Sequence, residues 1–353
     1  MKVIIVGAGI AGLAAAWELT RAAGADVSIL ESERRAGGVI ISERVQGFLI
    51  EAGPDGFLAG ERDLPALAEE LGIGDHVVGQ QTRGTMLWTG KALAPIDEGK
   101  AAALLGIEAK KDDVEGGFRT FAGGMAEPVT ALEQRLAPLL RFAQGVAGLT
   151  PNGSSGWRLA ITGGSAHDAD AVILAVPAYR AGRILEAVGV TGARALEDVV
   201  YLPSLTVSLA YRESQFTRPL QGAGFVASPE AAGAVRACTF ASRKFPGRAP
   251  AGHVLLRAFL APQDGDAPAT AHAELAAILG IEGQPLWSRV FQWARGLPRY
   301  PTDHRALVAD VRHRLERLPP LAITGAGYDG AGVSACVRSG REAGRLIARR
   351  LSR

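Results

Sequence analysis

KVIIVGAGIAGLAAAWELTR (Lys2–Arg21), with VSILE (Val27–Glu31) close behind it, is the stretch that decides the fold. Lys2 to Val6 is short, apolar and rich in Val and Ile, the pattern of a parallel strand buried on both faces. It runs into Gly7-Ala8-Gly9-Ile10-Ala11-Gly12 and then into a helix-forming stretch, Leu13 to Arg21. Between a strand and a helix, a GxGxxG carries a mechanism. Gly7 permits the tight turn, Gly9 lets a pyrophosphate approach the backbone, and Gly12 lets helix and strand pack closely. The helix N-terminus offers unpaired N–H groups and a partial positive charge to the same phosphates. A second strand, Val27 to Leu30, delivers Glu31 about 20 residues past the last glycine, where a carboxylate accepts from ribose hydroxyls. The stretch predicts a Rossmann-like unit that binds a dinucleotide.

The chain continues Ser32-Glu33-Arg34-Arg35-Ala36-Gly37-Gly38-Val39 instead of beginning a new crossover. Here it resembles the flavin amine oxidase superfamily, whose fingerprint runs GxGxxG, then Glu, then RxGG. Arg35, Gly37 and Gly38 fall on that pattern in type and spacing. An arginine can neutralise phosphate, and paired glycines let a loop fold back on a cofactor. The resemblance implies FAD rather than NAD, held by Gly7, Gly9, Ile10, Ala11, Gly12, Glu31, Ser32, Arg35, Gly37, Gly38 and Val39.

Composition narrows the class further. The chain has 353 residues, 48% hydrophobic and 21% charged, with a formal net charge of +2, an ordinary globular profile. So small an imbalance argues against nucleic acid as a partner. Two cysteines, Cys238 and Cys336, make no disulfide framework and suit a reducing, cytoplasmic setting. No apolar run reaches the length of a membrane span, so membrane contact is expected to be at most peripheral. The first strand begins at residue 2, which leaves no room for a targeting peptide. The six histidines show no spacing suited to a metal, and none is expected.

Along the chain, "ISERVQGFLIEAGPDGFL" predicts a hairpin turning at Gln46-Gly47, then a loop Gly53-Pro54-Asp55-Gly56. A helix is expected over Arg62–Leu71, a hairpin about Thr89-Gly90-Lys91, and a connecting segment over Asp97–Glu115. Pro128 sits near the first turn of another helix. Arg141–Gly148, Trp157–Ile161 and Ala171–Leu174 read as strands, and Ala178–Ala187 as a helix. Leu202–Gly265 is mostly alternating strand, with Val207, Leu209 and Tyr211 on one face. Helix Ala269–Leu279, strand Ser288–Trp293, loop Leu297–Pro301 and helix Asp303–Leu318 follow. Strand Leu321–Thr324, a glycine-rich loop and a helix over Val333–Leu351 close the chain. The layout predicts an α/β fold. It has a discontinuous, glutathione-reductase-like FAD domain (1–60, 120–190 and 318–353) and an inserted, mostly β substrate domain (61–119 and 191–317).

The last stretch, "LAITGAGYDGAGVSACVRSGREAGRLIARRL", puts a glycine loop between a strand and a helix opening at Gly332-Val333. A helix N-terminus aimed at a flavin stabilises the charge that the ring gains on reduction. The wording resembles the C-terminal signature of the protoporphyrinogen and coproporphyrinogen oxidases. Gly325, Ala326, Tyr328, Asp329, Gly330, Gly332, Val333, Cys336, Ser339 and Gly340 fall on it. "EAGPDGFL" from Glu51, "TFAGGMAEPVTAL" from Thr120 and "QWARGLPRYPTDH" from Gln292 agree, with Arg299 and Asp303 standing where the family usually has glutamine and glycine. The resemblance implies that Gly53, Pro54, Asp55, Gly325, Ala326, Gly332 and Val333 border the cofactor, with Trp293 near its ring. Val146 would grip adenine through its backbone, though a core valine would look the same. His304 reads as a capping or surface residue, and Cys336 as a small hydrophobe.

The implied activity is FAD-dependent oxidation of a porphyrinogen in heme biosynthesis, with oxygen as acceptor. An amine oxidase, a desaturase or a catalytically silent flavoprotein are the alternatives. No side chain is expected to act as acid, base or nucleophile. One departure concerns the segment that covers the substrate in that family. Only about 95–118 remains of it, and Lys100 and Arg299 are the cations left to meet a substrate carboxylate.

Overall fold

The computed structural model describes residues 1–22, 24–104, 116–153 and 156–352. Its centre is a five-stranded parallel sheet ordered Leu140–Arg141, Asp26–Leu30, Lys2–Val6, Ala171–Leu174, Leu321–Ile323. The two strands at its middle, Lys2–Val6 and Ala171–Leu174, are apolar because both faces are covered. The first and last helices, Ile10–Thr20 and Val333–Leu351, pack on one face. They approach closely at Gly340, where an added Cβ would lie 2.1 Å from the Ala11 carbonyl oxygen. Arg341 and Arg345 then pair with Glu18 across the seam. The opposite face carries the antiparallel sheet Val146–Asn152, Gly156–Ile161, Ala166–Ala169. Its buried Trp157 donates to the Pro320 carbonyl at 3.1 Å.

A seven-stranded sheet forms the other half. Its order is Trp287–Arg299, Val200–Arg212, His253–Leu260, Val235–Thr239, Gly224–Ala227, Thr85–Trp88, Leu93–Ile96. Helix Ala267–Leu279 covers one face of it, over Val207, Leu209 and Tyr211 as the alternation predicts. The hairpin Ser42–Val45 and Phe48–Glu51 turns at Gln46-Gly47, both at positive φ, as the dipeptide suggests. No helix among the described residues is long and apolar enough to cross a membrane.

Several boundaries differ from expectation for physical reasons. The first helix starts at Ile10 rather than Leu13, because Gly9 is its N-cap and the glycine motif is part of its first turn. Arg141–Gly148 is not one strand: Leu140–Arg141 ends the parallel sheet, and Ala143 takes a positive φ before Val146 enters another sheet. Leu297, Pro298 and Arg299 belong to the strand Trp287–Arg299. That strand is a sheet edge, where a proline need not donate to a neighbour on its open side. Of the connecting segment Asp97–Glu115, Glu98–Leu104 is helical and 105–115 lie outside the described residues, as do 154 and 155 of the turn before Gly156.

Candidate active site

The glycines of the first loop divide by what crowds them. A Cβ on Gly7, at φ +104°, would lie 2.4 Å from the Ala175 oxygen; one on Gly12 would lie 2.0 Å from the Gly7 oxygen. Turn and helix packing therefore require both glycines. A Cβ on Gly9 would meet nothing within 4 Å. Nothing among the described residues demands glycine there, and the open space borders a helix start that no side chain caps and no first-turn acid neutralises. That cradle fits a pyrophosphate.

Glu31 is buried at the end of its strand. Its Oε2 accepts from the Ala8 N–H at 2.7 Å, and its Oε1 from the Glu33 N–H at 2.8 Å and the Ser32 hydroxyl at 3.0 Å. The carboxylate thus braces the glycine loop and retains one acceptor site on Oε2, enough for a ribose hydroxyl. Arg35 is exposed and turns back on its own loop, donating to the Ala36 and Gly38 carbonyls at 3.0 and 2.5 Å. The same loop is laid along the first one: the Gly37 N–H donates to Ala8 at 2.8 Å, and Gly9 and Gly37 form a bridge. Val39, beyond the paired glycines, leaves its apolar side chain 41% exposed.

Gly53 approaches that turn so closely that a Cβ would lie 2.0 Å from the Val39 oxygen. Its loop is fastened from behind. Trp293 Nε1 donates to the Ala52 carbonyl at 2.9 Å, and Arg257 donates to Gly53 at 2.7 Å and Ala52 at 3.3 Å. Asp55 pairs with Lys244 at 3.3 Å, so its side chain is turned to the seven-stranded sheet. Burial raises the Asp55 carboxyl, but Lys244, Arg257 and Arg248 outweigh it and hold the group below the usual range. Glu51 takes Arg248 at 2.7 Å, the Ser42 hydroxyl at 2.6 Å and the Met125 N–H at 3.0 Å; burial still leaves its carboxyl above the usual range.

At the far end, Gly325 at φ +119° sets the loop against Ala11, and Gly332 caps the last helix with no side-chain bond and no first-turn acid. Tyr300 donates to the Ala326 carbonyl and stacks on His304, ring centroids 4.5 Å apart. His304 is buried, not a surface residue. Its Nε2 bonds the Tyr328 carbonyl at 3.1 Å while Nδ1 finds no partner, and burial lowers its pKa. Cys336 packs in the core, its thiol pushed up to about 12 by burial, so it carries no thiolate at neutral pH.

The structure brings Gly9 against Gly37 and Gly38, Gly53 against Val39, Trp293 against Ala52 and Gly325 against Ala11, while Gly7, Gly12 and Glu31 brace the first loop and Gly332-Val333 open the last helix. Val146 is buried next to Leu30, at a bulge opposite Ile161. Arg299 and Lys100 are both exposed but are not brought together. Arg299 ends one edge strand, and Lys100 rides a helix packed toward the other edge. Sequence reading missed Arg257, Arg248 and Lys244. A lone arginine inside the apolar run "HVLLRAFL" was the signal for the first.

The model for flavin-containing amine oxidoreductases matches residues 10–101 and 87–348. The chain belongs to that family. It is an FAD-dependent oxidoreductase, and both open helix starts fit that cofactor. Coproporphyrinogen III oxidase of Bacillus subtilis is 23% identical over 460 aligned positions, covering 97% of this chain and 96% of that protein. The enzyme of the same name from Mycobacterium leprae is 27% identical, with coverage of 97% and 96%. This flavoprotein is about a hundred residues shorter than those alignments, and the difference falls in gaps. Among solved structures, an Exiguobacterium protein provisionally assigned as a protoporphyrinogen oxidase superposes with a TM-score of 0.85 at 22% identity, covering 100% of this chain and 99% of that one. Cyclohexylamine oxidase of Brevibacterium oxydans gives 0.79 at 16%, with coverage of 100% and 99%. Both show the fold.

Proposed function

We propose that this protein oxidises a porphyrinogen, coproporphyrinogen III in the first place, to the porphyrin in successive two-electron steps of heme biosynthesis. Oxygen in the cytoplasm would be the final acceptor. The observation that carries the reading is correspondence along nearly the whole chain with enzymes named for that substrate. FAD, when bound, supplies the two-electron oxidant. Gly7, Gly9, Ile10, Ala11 and Gly12 would hold its pyrophosphate, Glu31 and Ser32 its ribose, and Val146 its adenine. Arg35, Gly37, Gly38 and Val39, with Gly53, Pro54, Asp55 and Trp293, would flank the ring. Gly325, Ala326, Gly332 and Val333 would place N–H donors where charge grows on reduction.

The division into an FAD domain (1–60, 120–190 and 318–353) and a substrate domain belongs to the same reading. The substrate surface would be the apolar one beside Trp293. By strand register Leu202 stands opposite Leu297, beyond a bulge that follows Trp293, and both are exposed. A macrocycle covers such side chains and removes water from the reacting edge. Arg299 would take a propionate, with Lys100 the second candidate. The deciding experiment is anaerobic titration of the FAD-loaded protein with coproporphyrinogen III, protoporphyrinogen IX and a primary amine. Bleaching of the flavin absorbance by a porphyrinogen alone is expected. Bleaching by the amine would make it an amine oxidase, and bleaching by none would leave a silent flavoprotein.

A further inference from the structure

The buried and half-buried charges behind the Ala52–Asp55 loop do not cancel among the described residues. Glu51 and Asp55 are the two carboxylates; Arg248, Lys244 and Arg257 are the three cations. Arg248 pairs with Glu51 and also donates to the Thr120 hydroxyl at 2.6 Å, and Lys244 pairs with Asp55. Arg257 forms no ion pair among the described residues, and Asp55 and Glu51, already paired with Lys244 and Arg248, act on it through space. It is 5% exposed, both its Nη bonds go to neutral carbonyls, and its Nε is buried without a partner among the described residues. The guanidinium lies 4.9 Å from the Phe259 ring, and a cavity of about 20 Å³ beside it, lined also by Ser208 and Asp55, has room for one water.

An uncompensated cation is expensive to bury, and an apolar residue in the same strand would avoid the cost. What Arg257 does have is contact with the one loop that Trp293 also grips, from the face of the sheet that carries Ser208 opposite it. We propose that Arg257 is a positioning residue of the flavin site. It fixes the Ala52–Gly53 peptide by a two-pronged grip and leaves one positive charge beneath the loop, which favours the reduced, negatively charged ring over the neutral oxidised one. The proposal rests on the reading that this loop borders the ring. It assigns to the chain a tuning of electron affinity that no hydrogen bond to the cofactor is needed to deliver, because charge acts through the loop at low local dielectric.

The test is the midpoint potential of bound FAD, read by dye-linked reduction, in Arg257→Met, Arg257→Lys and Asp55→Asn. Arg257→Met should lower the preference for reduced over oxidised FAD at least tenfold, about 30 mV for a two-electron couple. Arg257→Lys, which keeps the charge but loses the fork, should stay near the wild-type potential while Trp293 fluorescence shifts in the flavin-free protein. Asp55→Asn removes a negative charge and should move the potential upward, which keeps the proposal falsifiable if Arg257→Met fails to fold. An unmoved potential in Arg257→Met, or in Asp55→Asn if that is the only variant obtained, overturns the role of Arg257. Pro54→Ala separates the two levels: if it leaves the flavin absorption envelope unchanged too, the loop does not border the ring and the underlying reading fails. If it shifts the envelope while Arg257→Met leaves the potential alone, only the proposal fails.

Discussion

Gly9 and Gly12 stand three residues apart in one loop, and substituting each by alanine should break different things. At Gly12 the new Cβ would lie 2.0 Å from the Gly7 carbonyl oxygen, a backbone atom that cannot rotate away. The helix must move off the strand, a loss of about 3 kcal/mol or more. Gly12→Ala should therefore unfold early with or without FAD. At Gly9, φ is −66° and the Cβ would enter empty space, so alanine is tolerated by the backbone. Losing glycine at an N-cap costs the folded protein no more than about 1 kcal/mol. The methyl would instead occupy the volume the pyrophosphate needs, and would hold it off one or two N–H donors. Charge-assisted bonds of that kind contribute about 1.5–3 kcal/mol each, so Kd for FAD should rise roughly ten- to hundredfold or more. Thermal unfolding of the flavin-free protein and a fluorescence titration with FAD measure the two effects separately. A Gly9→Ala protein that binds FAD as tightly as the wild type would refute the assignment of that open space to the phosphates.

Two further outcomes are expected. Arg299→Ala should raise KM for the porphyrinogen roughly tenfold, the loss of one charge-assisted bond, with FAD content unchanged; an unaltered KM removes Arg299 from the substrate site. Asp329 accepts both Nη groups of Arg312, at 2.7 and 2.6 Å, and the Ser339 hydroxyl at 2.6 Å. Burial raises its carboxyl, but the Arg312 and Ser339 bonds outweigh that and leave the pKa below 3.8. A lowered folded-state pKa gives stability that is present above the unfolded value and lost as pH falls through the folded one. Arg312 is 41% exposed, so the pair is discounted to about 1–2 kcal/mol. Urea unfolding of Asp329→Asn should show that deficit at pH 7 and a shrinking one below pH 3.8; an equal deficit at both would point to a cause other than ionisation.

The parts of the fold that were legible share one property: each is fixed by local chemistry. Lys2–Val6 is apolar because the sheet buries both its faces, and Gln46-Gly47 can only be a turn at those φ values. Gly12 follows from steric contact with Gly7 five residues earlier, and Gly7 from its own positive φ of +104°. What stayed hidden depends on partners far along the chain. His304 opens a helix, and its surroundings of His, Arg and Asp read as solvent-facing, yet Tyr300 and the Tyr328 carbonyl enclose it. Arg257 looks like an interruption in a strand until Ala52 and Gly53, some two hundred residues earlier, supply its acceptors. Pro298 argued for a loop, and only the position of its strand at a sheet edge made it harmless.

The described part of the connection between the two halves lies away from Trp293. Helix Glu98–Leu104 lays Ala101 against Val226 and Ala237, next to Leu87, Ile96 and Phe259, so the described part of that connection covers the half of the sheet remote from Trp293. On the near half, Leu202 and Leu297 stay exposed, and Val39 presents its side chain between two glycine turns. Isolated exposed apolar residues are common, but Val39 adjoins Gly53 in the polar, hydrogen-bonded loop that Arg257 and Trp293 hold. The strands beside the loop pair as the hairpin Ser42–Glu51 and as Val200–Arg212 with Trp287–Arg299 and His253–Leu260. The Ala52–Gly53 loop is therefore fixed by Arg257 and Trp293 and not by helix Glu98–Leu104.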